Sequence, residues 1–183
     1  MPENDLDVLL GQIEAGDEQA LQHAYAIVYQ DLKACARRQL RRGGGSMNTT
    51  ALVNETYIRI YNARLAPKDR SHLMGIFANA MRQVLVDHAR TVGAQKRGGD
   101  VVKISLDATV SGHLIQQATE IVALSDALAE LENVDAELAR VVELRYFGGY
   151  SEREIAESLG VTERTVQRYW KKARAFLLVS LEG

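Results

Sequence analysis

Apolar residues recur at three- and four-residue spacing along most of the chain, which is the periodicity of amphipathic α-helices. The first stripe predicts a short helix and then a long one; its members are Leu6, Leu9, Leu10 and Ile13, then Leu21, Ala24, Tyr25, Val28, Leu32, Ala36 and Leu40. The glycines at 43–45 end the long helix, since consecutive glycines disfavour helical backbone. Two further helices are predicted, one over 51–61 and one along Leu73, Ile76, Phe77, Ala80, Met81, Val84, Leu85 and His88, with a loop over 63–71 between them.

The pattern changes after Gly98-Gly99. The apolar residues between Val101 and Val110 alternate only weakly, and without a partner strand this favours an extended linker over a β-strand. Helical periodicity resumes near Ile121, and Asp135 is placed to cap a further helix. We therefore predict an all-α fold of two small helical domains, residues 1–97 and 120–183, joined by an extended linker over 98–119.

The segment 150–170 predicts two short helices joined by a tight turn. Ser151 and Glu154 have the spacing of a capping box, Gly160 supplies the turn, and Thr162 can cap the second helix. This is the pattern of a helix-turn-helix, whose second helix enters the DNA major groove. Its outer face is predicted to contact DNA through Glu163, Arg164, Thr165, Gln167, Arg168, Lys171 and Lys172. The alternative is an ordinary helical hairpin with a solvated basic face.

The formal net charge of −2 conceals a strong segregation of charge. Residues 1–31 contain seven acidic and no basic residues, whereas residues 32–97 contain thirteen basic and three acidic ones. Residues 98–163 contain thirteen acidic and four basic residues, and residues 164–183 contain five basic and one acidic. Two basic blocks separated by acidic ones indicate two surfaces that face a polyanion, which agrees with DNA binding.

Composition excludes several other classes. The 183 residues are 46% hydrophobic and 25% charged, and no apolar run approaches the roughly 18 residues that span a bilayer, so we expect no membrane association. The acidic N-terminus does not resemble a secretory signal, and the single Cys35 suits a reducing cytoplasm. The four histidines have no ligand spacing and no catalytic constellation stands out, so we expect no metal, no cofactor and no enzymatic activity.

Three motifs together resemble a known family. Residues 51–61, Ala-Leu-Val-Asn-Glu-Thr-Tyr-Ile-Arg-Ile-Tyr, are similar to the segment D-L-V-Q-E-T-F-L-R-L-W of bacterial sigma factors of the extracytoplasmic-function (ECF) subfamily. Residues 81–90 are similar to the subfamily's R-N-L-A-I-D-H-L-R helix, and the C-terminal helix-turn-helix pattern follows in the expected order. The basic end at 96–99 and the helix over 173–177 resemble one lineage of the subfamily, which is associated with Ser/Thr kinases.

The resemblance implies a two-domain specificity subunit of bacterial RNA polymerase. It assigns sigma domain two to 1–97, which would bind core polymerase and the minus-ten promoter element, and sigma domain four to 120–183, which would bind the minus-thirty-five element. The linker would run along the polymerase. The helix over 51–61 would dock on the clamp helices of the largest subunit through Leu52, Val53, Glu55, Ile58 and Arg59.

The resemblance also assigns the melted minus-ten region to the helix that begins near residue 73 and to the loop before it. Gln83 stands where the family usually has an Asn that contacts a base, and cationic side chains would hold the phosphates around an unstacked base. The residues predicted to bind here are Lys68, Arg70, Asn79, Arg82, Gln83, Arg90, Lys96 and Arg97.

One departure from the family pattern concerns charge. Sigma factors usually carry acidic residues just before the clamp-docking helix, whereas this chain has Ser46-Met47-Asn48-Thr49-Thr50-Ala51. A phosphate adds about −1.5 to −2 charges at neutral pH, so phosphorylation of Thr50, Thr49 or Ser46 by a Ser/Thr kinase would supply the missing charge. The alternative is that Thr49 or Thr50 is only the N-cap of the helix.

Two other function classes compete with a sigma factor. An autonomous helix-turn-helix regulator, with an N-terminal dimerisation or sensing domain, would bind duplex promoter DNA by itself, usually as a two-fold dimer. A DNA-processing enzyme with a binding tail would need a nucleophile or carboxylate cluster, and the sequence offers none. We therefore expect core RNA polymerase and promoter DNA as partners.

Overall fold

The computed structural model describes residues 2–43, 47–63, 65, 67–95 and 108–182, without the side chains of 2–4, 42, 43, 93, 95 and 108–118. The described residues are almost entirely helical and include no strand, as the periodicity predicted. The α-helices are α1 (Pro2–Glu14), α2 (Glu18–Gly43), α3 (Thr49–Ala63), α4 (Arg70–Gln95), α5 (Ala108–Val134), α6 (Ala136–Val142), α7 (Glu152–Leu159) and α8 (Glu163–Glu182), with a π-helical turn at Glu143–Phe147 between α6 and α7.

Helices α1–α4 enclose one hydrophobic core, which we call the N-terminal body. The stripe predicted for α2 faces inward, since Val28, Leu32 and Ala36 are fully buried. Phe77 of α4 packs into the same core and is also fully buried. The three- and four-residue spacing therefore located both the helices and their buried faces.

Helices α5–α8 and the π-helical turn form the C-terminal body around two smaller cores. Leu128 and Leu131 of α5 pack with α6 and with Ala173 of α8, while Val166 of α8 packs with Ile155 of α7. Asp135 caps α6 as predicted, because its carboxylate accepts hydrogen bonds from two backbone N–H groups at the start of that helix. The body is thus held together by apolar faces that meet at short turns.

Helix α5 begins much earlier than the sequence suggested. Residues 98–107 of the predicted linker lie outside the described residues, but residues 108–119 are helical. This corrects the prediction of an extended segment up to residue 119. The stretch Thr109-Val110-Ser111-Gly112 consists of weak helix formers without an apolar stripe, so neither propensity nor periodicity marked it as helix.

The two bodies pack against each other. Helix α4 is the central element, since it contacts α2 and α3 on one side and α5 and the π-helical turn on the other. Ala78 of α4 belongs to the core of the C-terminal body. Gly75 of α4 faces Arg140 of α6, and an added Cβ would lie 2.5 Å from the guanidinium, so a glycine permits this close approach. Helix α4 therefore has little free surface on the side that faces the C-terminal body.

Candidate nucleic-acid interfaces

The turn between α7 and α8 has the geometry that its sequence predicted. Ser151 and Glu154 form a complete capping box at the start of α7. Gly160 ends that helix with a φ of 65°, in the left-handed region that favours glycine. The Thr162 hydroxyl accepts a hydrogen bond from the backbone N–H of Thr165 at 3.2 Å, which caps α8. Local chemistry alone thus fixes how α8 leaves α7.

Helix α8 presents its basic side chains to solvent. Val166 and Ala173 are fully buried, so the opposite face must point away from the body. Of the seven residues predicted to contact DNA, only Thr165 is half-buried; the exposed ones are Glu163, Arg164, Gln167, Arg168, Lys171 and Lys172. This face of α8 is open for a ligand.

One exposed side chain of α8 is held by α7. The Gln167 amide Nε2 donates a hydrogen bond of 2.7 Å to Oε2 of Glu152. Arg145 of the π-helical turn donates to Oε1 of the same carboxylate at 2.8 Å, and its guanidinium lies 4.5 Å from the Trp170 ring centroid. The hydrogen bond from Gln167 and, to a smaller extent, the one from Arg145 hold the pKa of Glu152 below its ordinary value.

The corresponding face of α4 is covered in this structure, including Arg82, which was predicted to bind DNA. Arg82 is only 8% exposed. Its Nη2 donates to Oε1 of Glu143 at 3.0 Å, and Asn79 Nδ2 donates to the same oxygen at 2.7 Å. Arg82 Nη1 also donates to Ser125 Oγ of α5 at 3.2 Å. Asn79 and Arg82, both predicted to bind DNA, thus contact the C-terminal body in this structure.

The other predicted residues of α4 lie at the margin of this contact. Gln83 is exposed; it donates to Asn79 Oδ1 at 2.9 Å and accepts from Arg59 Nη1 of α3 at 3.3 Å. Arg90 is exposed and lies 3.5 Å from the Asp126 carboxylate of α5. A chain of polar contacts therefore runs from α3 across α4 to the C-terminal body.

The loop before α4 also carries predicted cations. Lys68 is exposed, and its backbone N–H donates to Nδ1 of His72 at 3.1 Å. Arg70 was predicted to lie in the loop but is the first residue of α4, and it pairs with Asp31 of α2 at 2.6 Å. Lys96 and Arg97 lie outside the described residues. Among the predicted minus-ten residues that the structure describes, Asn79 bonds directly to Gln83, and Asn79 and Arg82 share the Glu143 carboxylate.

Helix α3 divides the predicted polymerase-docking residues into two groups. Leu52 and Val53 are fully buried in the N-terminal core, which corrects their assignment to a docking surface. Glu55 and Ile58 face solvent, and Ile58 is 56% exposed. Arg59 is half-buried and pairs with Asp87 of α4 at 2.5 Å. The outer face of α3 is thus an apolar and charged surface around Ile58.

The start of α3 is capped by a residue other than the two threonines. Asn48 Oδ1 accepts a hydrogen bond from the backbone N–H of Ala51 at 2.8 Å. Thr49 and Thr50 are the first two residues of the helix, so neither is the N-cap that the alternative interpretation required. Thr50 is exposed and Thr49 is half-buried, while Ser46 lies outside the described residues.

Comparison of the sequence with known protein families gives one match. A family model described as ECF sigma factor matches residues 3–183. The chain belongs to the ECF sigma factor family. No curated protein matches the sequence at a significant level. This sigma factor is therefore a non-enzymatic transcription initiation factor, and its family acts by binding core RNA polymerase and promoter DNA.

The sequence did not identify the residues that join the two bodies of this sigma factor. Cys35 Sγ and Gln39 Nε2 of α2 both donate to the Phe147 carbonyl oxygen, at 2.7 and 2.6 Å, and Arg38 Nη2 donates to the Gly148 carbonyl at 2.9 Å. The signal that could have found them is the Gly148-Gly149 pair. Gly149 has a φ of 72°, and a Cβ there would collide with the Arg38 guanidinium.

Within the ranges that the structure describes, no helix combines the length and the apolar character needed to cross a membrane.

Proposed function

We propose that this sigma factor directs promoter recognition and melting as a two-domain specificity subunit of core RNA polymerase in the cytoplasm. Residues 1–97 would act as sigma domain two on the minus-ten element, and residues 120–183 as sigma domain four on the minus-thirty-five element. The observation that carries this proposal is the capped α7-turn-α8 unit, whose basic outer face is exposed in a member of the ECF sigma factor family.

In this proposal α8 lies in the major groove of the minus-thirty-five element. Arg168 and Gln167 have side chains that can make paired hydrogen bonds with base edges, and Lys171 and Lys172 suit phosphate contacts. All four are exposed on one helix face that needs no rearrangement before it meets DNA. Packing of Val166 and Ala173 under that face gives α8 a rigid support.

The minus-ten region would be engaged by α4 and the loop before it, after the C-terminal body has moved away. Glu143 occupies the side chains of Asn79 and Arg82, and melted DNA cannot reach them while that contact lasts. Exposed Gln83 then supplies the base contact, with Lys68, Arg70 and Arg90 around it. The closed arrangement is, in this proposal, the resting form of the free protein.

Buried polar atoms without partners lower the free energy needed to separate the two bodies. Arg38 Nε, Gln39 Oε1 and Arg82 Nε are buried there without a hydrogen-bond partner among the described residues. Unpaired buried polar groups cost free energy, and they regain hydrogen bonds to water when the interface opens. Polar contacts of this kind favour domain movement over permanent association.

Docking on the clamp helices of the largest polymerase subunit would use the outer face of α3. Ile58 supplies an exposed apolar anchor, and Glu55 supplies charge for a basic partner surface. Arg59 would contribute at the edge, since its Asp87 partner lies on the neighbouring helix. Leu52 and Val53 serve this surface only as the core beneath it.

We further propose that phosphorylation of Thr50 by a Ser/Thr kinase strengthens this docking. Asn48 already caps α3, so the exposed Thr50 hydroxyl is not needed for the cap. A phosphate in the first turn of a helix is favoured by the N-terminal N–H groups and the helix dipole. The test is capture of core polymerase by unmodified and kinase-treated protein and by Thr50→Ala and Thr50→Asp variants; equal capture by all four contradicts the switch.

Transcription from a linear promoter template with purified core polymerase tests the main proposal. We expect initiation at a defined promoter only when this protein is present, and loss of initiation when either promoter element is scrambled. Tight binding of free duplex DNA by a dimer of this protein alone, with no initiation, would instead support an autonomous regulator. The Lys171→Ala variant should weaken initiation at all promoter sequences to a similar extent.

A further inference from the structure

Three elements of the C-terminal body meet at one half-buried carboxylate. Glu152, in the first turn of α7, accepts hydrogen bonds from Gln167 of α8 and from Arg145 of the π-helical turn. Glu157, another acid of α7, accepts a hydrogen bond of 3.0 Å from Arg153 of the same helix. Glu152 therefore joins α7 to the exposed face of α8 through its hydrogen bond with Gln167.

We propose that Glu152 is a specificity-determining residue, which orients the Gln167 amide for one base pair of the minus-thirty-five element. The inference rests on the proposed role of α8 in that element. Glu152 is a positioning residue in this account, since Gln167 makes the contact with the base.

The orientation follows from the chemistry of the two groups. An ionised carboxylate only accepts hydrogen bonds, so it can bind the NH₂ end of the Gln167 amide but not the carbonyl end. The lowered pKa of Glu152 keeps this carboxylate ionised at neutral pH. The Gln167 amide is thereby fixed in one of its two orientations, with one N–H used and with one N–H and Oε1 left for another partner.

The remaining groups match one base better than the others. Adenine offers an acceptor at N7 and a donor at N6 in the major groove, and a glutamine amide can pair with both at once. Guanine offers two acceptors and cytosine one donor, so the same amide makes one fewer good contact with either. We therefore expect adenine to be the preferred base opposite Gln167.

Arg145 offsets the negative charge of Glu152 beside α8. A lone negative charge beside α8 would repel the phosphates that Lys171 and Lys172 are proposed to hold. The Arg145 guanidinium neutralises Glu152, and its position over the Trp170 ring restricts its own movement. The exposed glutamine also loses less conformational freedom on binding, because Glu152 has already ordered it.

The competing account is that Glu152 merely ties α7 to α8. In that case its removal would weaken all promoter sequences alike, through a displaced or less stable α8. The two accounts differ in the pattern of effects across bases, which a sequence library resolves and a single affinity does not.

The experiment measures transcription by reconstituted holoenzyme on a promoter library randomised in the minus-thirty-five element. The proteins are wild type, Gln167→Ala, Glu152→Ala, Glu152→Gln and the Glu152→Ala/Gln167→Ala double variant, with Glu157→Gln as the matched control. Thermal melting of each variant checks that the C-terminal body remains folded.

We expect Gln167→Ala to reduce the preference at one base pair by roughly five- to one-hundred-fold, the range of a lost paired contact. Glu152→Ala should flatten the same base pair and no other, by a smaller factor, and should add nothing in the double variant. Glu152→Gln should lie between wild type and Glu152→Ala, because its amide accepts a hydrogen bond but no longer enforces one orientation. Glu157→Gln should leave the whole profile unchanged.

A uniform loss across all sequences in Glu152→Ala, or a change at a different base pair from Gln167→Ala, would overturn the inference. So would an unchanged profile in Gln167→Ala. Failure of the underlying function looks different, since wild-type holoenzyme would then initiate without regard to the minus-thirty-five element.

Discussion

Helices α4 and α8 carry similar sets of side chains but present them differently. On α8 the arginines, lysines and Gln167 face solvent, and they are supported from below by buried apolar residues. On α4 the two central polar residues, Asn79 and Arg82, are covered by Glu143 of the C-terminal body. The sequence thus predicts two surfaces for DNA, whereas the structure shows which of them the protein itself already occupies.

Charge explains why α4 is covered and α8 is not. The acidic block that follows the linker supplies Glu143 and Asp126, which pair with cations of α4. The α8 cations are not covered in this way, and Glu152 beside them is neutralised by Arg145. Carboxylates of the C-terminal body contact the cations of α4 that are proposed to hold DNA phosphates. The C-terminal body and the DNA therefore compete for the same cations.

The largest expected effect is on the covered surface. Replacing Glu143 with alanine leaves the buried Arg82 charge without its partner, since the two side chains are only 12% and 9% exposed. We expect the free energy of unfolding in urea to fall by about 3 kcal/mol. Glu130→Ala removes an exposed acid from the same body and should cost less than about 0.5 kcal/mol. Equal losses in the two variants would contradict a stabilising role for the buried Arg82–Glu143 ion pair.

The uncovered surface should respond in function rather than stability. Arg168→Ala removes an exposed side chain, so the free energy of unfolding should change by less than about 0.5 kcal/mol. Recognition of the minus-thirty-five element should weaken by about 1–3 kcal/mol if Arg168 contacts a base. Relative initiation rates on matched and scrambled elements measure this. An equal loss on both templates would identify a phosphate contact instead.

These two surfaces also show where sequence reasoning succeeds. The caps at Ser151, Asp135 and Thr162 and the turn at Gly160 were predicted correctly, because each depends on residues three or four positions away. The apolar stripes of α2 and α4 were predicted for the same reason. Local chemistry therefore specified the helices and the exposed face of α8.

Features that depend on distant residues were not predictable in this way. Arg82 looked like a surface cation because its partner, Glu143, lies 61 positions along the chain. Leu52 and Val53 matched a docking motif, but their burial depends on how α3 packs against α2 and α4. The early start of α5 was missed because its first residues, Thr109 to Gly112, are weak helix formers.

A smaller effect is expected at the margin of the interface. Arg90 and Asp126 lie 3.5 Å apart and are both more than half exposed, so solvent screens their attraction. Asp126→Asn should lower the free energy of unfolding by about 0.5 kcal/mol or less, and the difference should vanish in about 1 M salt. A salt-independent loss much larger than this would show that Asp126, rather than Glu143, makes the main ionic contact between the bodies.

The smallest effect concerns pH. The pKa of Glu154 is lowered by the Ser151 hydroxyl and then by its backbone N–H, and the pKa of Glu152 by Gln167 and Arg145. The stability that these carboxylates add is present above their ordinary pKa of 4.5 and is lost as the pH falls through the lowered folded values. Trp170 fluorescence, followed from about pH 6 to about pH 3, should show a smaller acid-induced change in Glu152→Gln than in wild type. Identical curves would contradict a contribution of the ionised Glu152 carboxylate to stability.

The central claim is that the α4 face is covered in the free protein and uncovered in the initiating complex. Energy transfer between dyes at two exposed positions, Asn54→Cys on α3 and Glu130→Cys on α5, measures the separation of the two bodies. The dyes are attached to the free protein, in which Cys35 is buried. We predict high transfer efficiency in the free protein and a clear decrease when core polymerase and promoter DNA are added. Unchanged efficiency in a complex that initiates at the correct promoter would contradict the account.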